Sequence, residues 1–97
     1  MEVSRQDVID RMEKMLAGRT TREDTGWWAL DLLLEELEYE PGYKTLLEDV
    51  LRSLQYFHDT EPLMQRFYPD TEEMLYFLKC LKGEEAYHRS RVIHWRV

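Results

Sequence analysis

Seven apolar residues between Tyr43 and Phe57 lie on one side of a single helix. Tyr43, Leu46, Leu47, Val50, Leu51, Leu54 and Phe57 recur at steps of one or three, which at about 100° per residue gathers them on one arc. A helix that is apolar on one arc must bury it against another element. This segment therefore commits the chain to a packed helical fold, and the remaining segments must supply the opposing surfaces.

The punctuation elsewhere supports further helices. Ser4-Arg5-Gln6-Asp7 is a helix start, because the Ser4 hydroxyl can accept from an unpaired backbone N–H and Asp7 sits at the positive helix end. Val8, Ile9, Met12, Met15 and Leu16 follow at helical spacing, and Gly18 can adopt the left-handed stop. The first helix is expected over 4–17. Thr20 and Glu23 stand at capping-box spacing, and the second helix is expected to run to Tyr39, where Pro41-Gly42 turns the chain. Its core face is read as Trp27, Leu30, Leu33, Leu34 and Leu37, with Ala29 at its edge and Gly26 weakening the first turn. Residues 63–69, between Pro62 and Pro69, form a packed loop or one short turn. Asp70-Thr71-Glu72-Glu73 starts a fourth helix with Met74, Phe77, Leu78 and Leu81 inside and Gly83 at its end. Residues 91–97 hold β-branched and aromatic residues. The expectation is an all-α fold, a compact bundle of about four helices with a short extended C-terminal segment, in one domain spanning 1–97.

The bulk composition narrows the function. A chain of 97 residues with 43% hydrophobic and 12% aromatic content can bury a core without cross-links. The single cysteine, Cys80, excludes an internal disulfide and a cysteine-based zinc cluster within one chain. The N-terminus is charged and amphipathic, so no secretory signal is expected, and no apolar run approaches the length of a membrane span. A net charge of −7 disfavours direct contact with nucleic-acid phosphate or anionic lipid. A cytoplasmic protein is expected, with neither nucleic acid nor membrane as partner.

That charge is unevenly placed. Between Glu23 and Asp49 stand nine acids and one base, Lys44. On a second helix reaching Tyr39, Asp24, Asp31, Glu35 and Glu38 would align in one stripe, with Trp28, Leu32 and Tyr39 about 40–80° to one side. Aromatic anchors beside concentrated charge have the makeup of a protein interface. These seven residues are the candidate partner-binding set. The alternative is that another element covers Trp28 and Leu32 and the acids are a solvated face. Glu48 and Asp49 are read as polar flanks of the third helix. The tail bases Arg89, Arg91 and Arg96 are the candidates to fold back and mask the stripe.

Catalysis and metal binding find less support. Adjacent carboxylates such as Glu35-Glu36, Glu72-Glu73 and Glu84-Glu85 point about 100° apart on a helix and share no site. Cys80 sits beside the core face of the fourth helix and is read as a small buried filler. His58-Asp59 with Glu61, and His88 with His94, match no established ligand spacing. No enzyme, cofactor or metal is expected.

The segment Leu16-Ala17-Gly18-Arg19-Thr20-Thr21-Arg22-Glu23, then Trp27-Trp28-Ala29, and the later Leu47, Val50, Leu51, Leu54 resemble small acidic bacterial immunity-type proteins encoded beside polymorphic, contact-dependent toxins. The resemblance covers residues 8–54, and Gly26 with the doubled tryptophan departs from the pattern. It implies an immunity protein that neutralises a cognate basic toxin, for example a nuclease domain, by covering its active surface. A small regulatory or assembly module that homodimerises through the second helix is the alternative.

Overall fold

The computed structural model describes residues 1–92. The fold is all-α, with four helices, α1 (Arg5–Leu16), α2 (Arg22–Leu33), α3 (Lys44–Gln55) and α4 (Thr71–Leu81). A minor sheet pairs β1 (Glu2–Val3) in parallel with β2 (Glu38–Tyr39). Single 3-10 turns follow at Tyr56–His58, Gln65–Phe67 and Arg89–Arg91. Among the described residues no helix is long and apolar enough to cross a membrane.

Local chemistry sets most boundaries. The Ser4 hydroxyl accepts from the Asp7 N–H at 3.1 Å while the Asp7 carboxylate accepts from the Ser4 N–H at 3.0 Å, a reciprocal cap that satisfies two orphan donors. Asp70 and Glu73 repeat the arrangement at the start of α4. Gly18, at φ 76°, and Gly83, at φ 77°, take the left-handed conformation just after α1 and α4. In α2 the cap is Thr21 rather than Thr20, its hydroxyl accepting from the Asp24 N–H at 3.0 Å.

The core is formed by the inward faces of α1, α3 and α4. Val8 and Met12, Leu47, Val50, Leu51 and Leu54, and Met74 and Phe77 are all sealed from solvent, and Phe57 is nearly so. Each such side chain stabilises the fold by about 1.5–3 kcal/mol relative to leaving it exposed. The arc from Leu46 to Phe57 is buried as its spacing requires, and Tyr43 is half-buried at its start. α2 packs on α3 and the Tyr56–His58 turn, while α1 packs on α4 and α2.

The second helix ends at Leu33, six residues before the expected Tyr39. Two causes converge. Glu35, Glu36, Glu38 and Glu40 would stack like charges at three- and four-residue spacings at the negative end of the helix dipole, with no base to offset them. The N-terminus offers competing partners instead. The Glu38 N–H donates to Met1 O at 2.8 Å and the Glu40 N–H to Val3 O at 2.9 Å. Glu40 then accepts from the Arg5 N–H at 3.0 Å and from Arg5 Nε at 2.8 Å, and Arg5 stacks on the Tyr43 ring at 3.8 Å. These contacts hold the Glu40 carboxyl below its ordinary range, the backbone hydrogen bond from Arg5 contributing most.

The chain after α4 crosses back over α3 and α4. The Tyr76 hydroxyl donates to Ala86 O at 3.0 Å and accepts from the His88 N–H at 2.7 Å. Val92 is buried at its end. Of the expected extended segment, 93–97 lies outside the described residues, and Arg89–Arg91 form a 3-10 turn.

Candidate functional site: the outer face of the second helix

The inner face of α2 is built from small residues. Thr25, Gly26 and Ala29 are buried. A Cβ on Gly26 would stand 2.2 Å from His58 N and 2.6 Å from the Phe57 carbonyl carbon. The missing side chain therefore lets the helix backbone lie directly on the Tyr56–His58 turn. From Trp27 to Leu34 only Asp31 is polar, so hydrophobic spacing selects no unique side. The close approach at Gly26 selects it instead.

This rotation exchanges the expected roles of the two tryptophans. Trp27, read as core, is 47% exposed and meets the His58 ring edge-on at 4.8 Å. The His58 Nδ1–H donates to Gln55 O, which orients that ring. Leu34, also read as core, is 77% exposed. Trp28 and Leu32, read as an off-core strip, are half-buried against the core. They line a cleft of about 490 Å³ beside α1 with Asp7, Asp10, Arg11 and Lys14. The Arg11 guanidinium lies 5.5 Å from the Trp28 ring centre and donates to Asp24 O at 3.3 Å.

The seven candidate residues thus divide. Asp24 and Asp31 share the exposed face of α2, seven residues apart. Glu35 and Glu38 are exposed beyond the end of the helix, in the turn and on β2, so the four acids do not form one helical stripe. Tyr39 is half-buried on β2, and burial, followed by the nearby Glu48 carboxylate, raises its phenol above the ordinary range. The residues that join Asp24 and Asp31 are Trp27 and Leu34. Asp24, Trp27, Asp31 and Leu34 follow at steps of three, four and three, alternating acid and apolar along one exposed line.

Acids dominate the surface around this line, with Arg11 reaching Asp24 O at its edge. Glu23, Asp24, Asp31, Glu35, Glu36 and Glu38 are all exposed. Among the described residues no base forms an ion pair with any of them; the pairs are Arg5–Glu40, Arg52–Glu48, Lys82–Glu13, Arg89–Asp49 and Arg91–Glu85. Two of the three tail bases, Arg89 and Arg91, go elsewhere than expected. Arg91 pairs with Glu85 at 2.9 Å and lies 4.0 Å over the Tyr76 ring. Arg96 lies outside the described residues.

Arg89 makes the contact that sequence reasoning missed. Asp49, read as a polar flank, is fully buried. It receives Arg89 Nε at 2.9 Å and Nη2 at 2.8 Å, and the Tyr87 hydroxyl at 2.6 Å. Burial first, and then the hydrogen bond to the Asp49 carboxylate, push the Tyr87 phenol far above its ordinary range. The same carboxylate raises Arg89. The Asp49 position at the edge of the apolar arc, next to Leu46 and Ser53, was a faint signal. Partners about forty residues away were not readable locally.

Other clefts are present among the described residues. One of about 680 Å³ lies between the start of α3 and the passage after α4, lined by Tyr43, Lys44, Leu46, Cys80, Glu84 and Tyr87 among others. Burial pushes the Cys80 thiol up, and its contact with Tyr76 offsets this only partly, so the thiolate that nucleophilic chemistry needs is disfavoured. Among the described residues no group of three or more His, Cys, Asp or Glu side chains is placed to hold a metal ion. No protein-family model, curated protein or solved structure matches the chain.

Proposed function

We propose that this chain is a non-enzymatic binding protein that docks the outer face of α2 on a basic protein surface. Its most concrete form is an immunity protein that covers the active surface of a cognate basic bacterial toxin. The observation that carries this reading is the exposed Trp27–Leu34 pair set among six acids without ion-pair partners among the described residues. Unpaired like charges on one surface oppose the compact state, so their accumulation has a cost in stability and a benefit in steering. The acids raise the encounter rate with a basic partner, and the half-exposed Trp27 supplies an aromatic anchor at the centre of the contact.

The test is protection and binding together. Cells expressing a basic bacterial toxin domain that this chain binds should survive when the chain is co-expressed. The double variant Asp24→Lys/Asp31→Lys should lower the association rate with that domain by about tenfold or more at low salt. An unchanged rate and undiminished protection would remove the α2 face from the mechanism.

Homodimerisation is the second reading, favoured by Trp27 and Leu34 standing seven residues apart on an exposed helix. A two-fold contact on that face would bring Asp24 and Asp31 of both copies into one seam. Sedimentation equilibrium separates the readings: a monomer supports hetero-association, and a tight dimer with Trp27 fluorescence shielded supports the alternative.

A further inference from the structure

The outer face of α2 also constrains the secondary structure of its occupant. We infer that the partner meets α2 with a basic amphipathic helix, an inference that rests on reading this face as a docking surface. The exposed line Asp24, Trp27, Asp31, Leu34 follows the three-four-three spacing of a helix seam. Its ends are ten residues apart, so it is about 15 Å long, a little under three helical turns. Trp27 and Leu34 stand where a second helix with apolar residues seven apart can interleave. Asp24 and Asp31 stand beside them, where lysines or arginines flanking that apolar seam would reach. Glu35 and Glu36 continue the negative surface past the end of α2.

Hydrogen bonding favours a helix over an extended strand. The middle of α2 has its backbone donors and acceptors satisfied within the helix, so this face offers no main-chain ladder to a strand. An incoming helix brings its own backbone already satisfied and needs only side-chain complementarity. Charge disfavours a second copy of this chain, since the seam would then collect carboxylates from both sides without a base. The bases Arg89 and Arg91 of the described C-terminal passage are engaged elsewhere, with Asp49 and with Glu85.

The test uses the full chain and three synthetic fluorescent peptides read by anisotropy. The first is a stapled helix with leucines at three-four-three spacing flanked by lysines. The second has the same composition with strict leucine–lysine alternation, which suits a strand. The third is the stapled helix with glutamates for the lysines. The stapled basic helix should bind at least about tenfold more tightly than either of the others. Trp27→Ala and Asp24→Lys/Asp31→Lys should each weaken it about tenfold. Leu34→Ser, at a residue 77% exposed, guards against a Trp27 variant that fails to fold. Equal binding of the alternating peptide overturns the helical occupant while leaving a basic partner in place. Binding of the basic peptides that is indifferent to all three variants, or no binding of either, overturns the helical occupant and the docking face together.

Discussion

Asp49 and Asp31 come from the same acid-rich stretch and do opposite things. Asp49 is sealed from solvent and held by three hydrogen bonds from Arg89 and Tyr87. Asp31 is exposed and has no ion-pair partner among the described residues. A buried carboxylate is tolerable only when its charge and lone pairs are matched, so Asp49 is bound to the fold by desolvation. Asp31 is under no such demand. The difference lies in which way each helix faces: α3 turns Asp49 under the returning C-terminal passage, and α2 turns Asp31 outward. Charge count alone merges a structural lock with a surface available to a partner.

The comparison breaks most severely at Gly26, which fixes the orientation of α2. Gly26→Ala gains helix propensity of about 1 kcal/mol. Its Cβ would nevertheless overlap backbone atoms of Phe57 and His58, which cannot rotate away. A net loss of about 3 kcal/mol or more, or failure to fold, is expected in urea unfolding. Asp49→Asn should come next, at about 2 kcal/mol, because it removes a buried charge-assisted pair while keeping the shape. Limited proteolysis should then cut within 84–92 faster than in the parent chain.

Tyrosine ionisation sharpens the contrast from the basic side. The phenols of Tyr39, Tyr68, Tyr76 and Tyr87 are all raised, burial being the first cause in each. A raised phenol stays protonated in the folded chain while the unfolded chain ionises near 10. Its stabilisation is complete below about pH 10 and is lost as pH climbs towards the folded value. Ultraviolet titration should show these four ionising late, Tyr87 only with unfolding, and Asp49→Asn should advance Tyr87. The smallest effect belongs to Leu34→Ser, which should change stability by less than about 0.5 kcal/mol. The same variant should weaken partner binding measurably by calorimetry.

What was legible in the sequence follows the same division. The arc from Tyr43 to Phe57 and the caps at Ser4 and Asp70 are local patterns, and local chemistry decides them. The early end of α2 was signalled too, by four glutamates without a base between 35 and 40, though the competing strand pairing depends on the distant Met1 and Val3. The facing of α2 was hidden because its apolar residues run nearly all round it. Gly26, which looked like a weakness, is the position that sets it. Asp24 and Asp31 were placed correctly on an exposed face, whereas Trp28 and Leu32 exchanged places with Trp27 and Leu34. The lock at Asp49 joins residues about forty apart and has no local pattern.

On the proposed reading, the α2 acids are kept at the expense of stability and Asp49 for its sake. Urea unfolding of Asp24→Asn/Asp31→Asn beside Asp49→Asn, at neutral pH and low salt, tests this with the same chemical change at both places. Neutralising the α2 pair should leave stability unchanged or raise it by a few tenths of a kcal/mol, as relief of repulsion between surface charges does. Asp49→Asn should lower it by about 2 kcal/mol. A loss of that size in the α2 variant, or none in the Asp49 variant, would contradict the division on which the docking face rests.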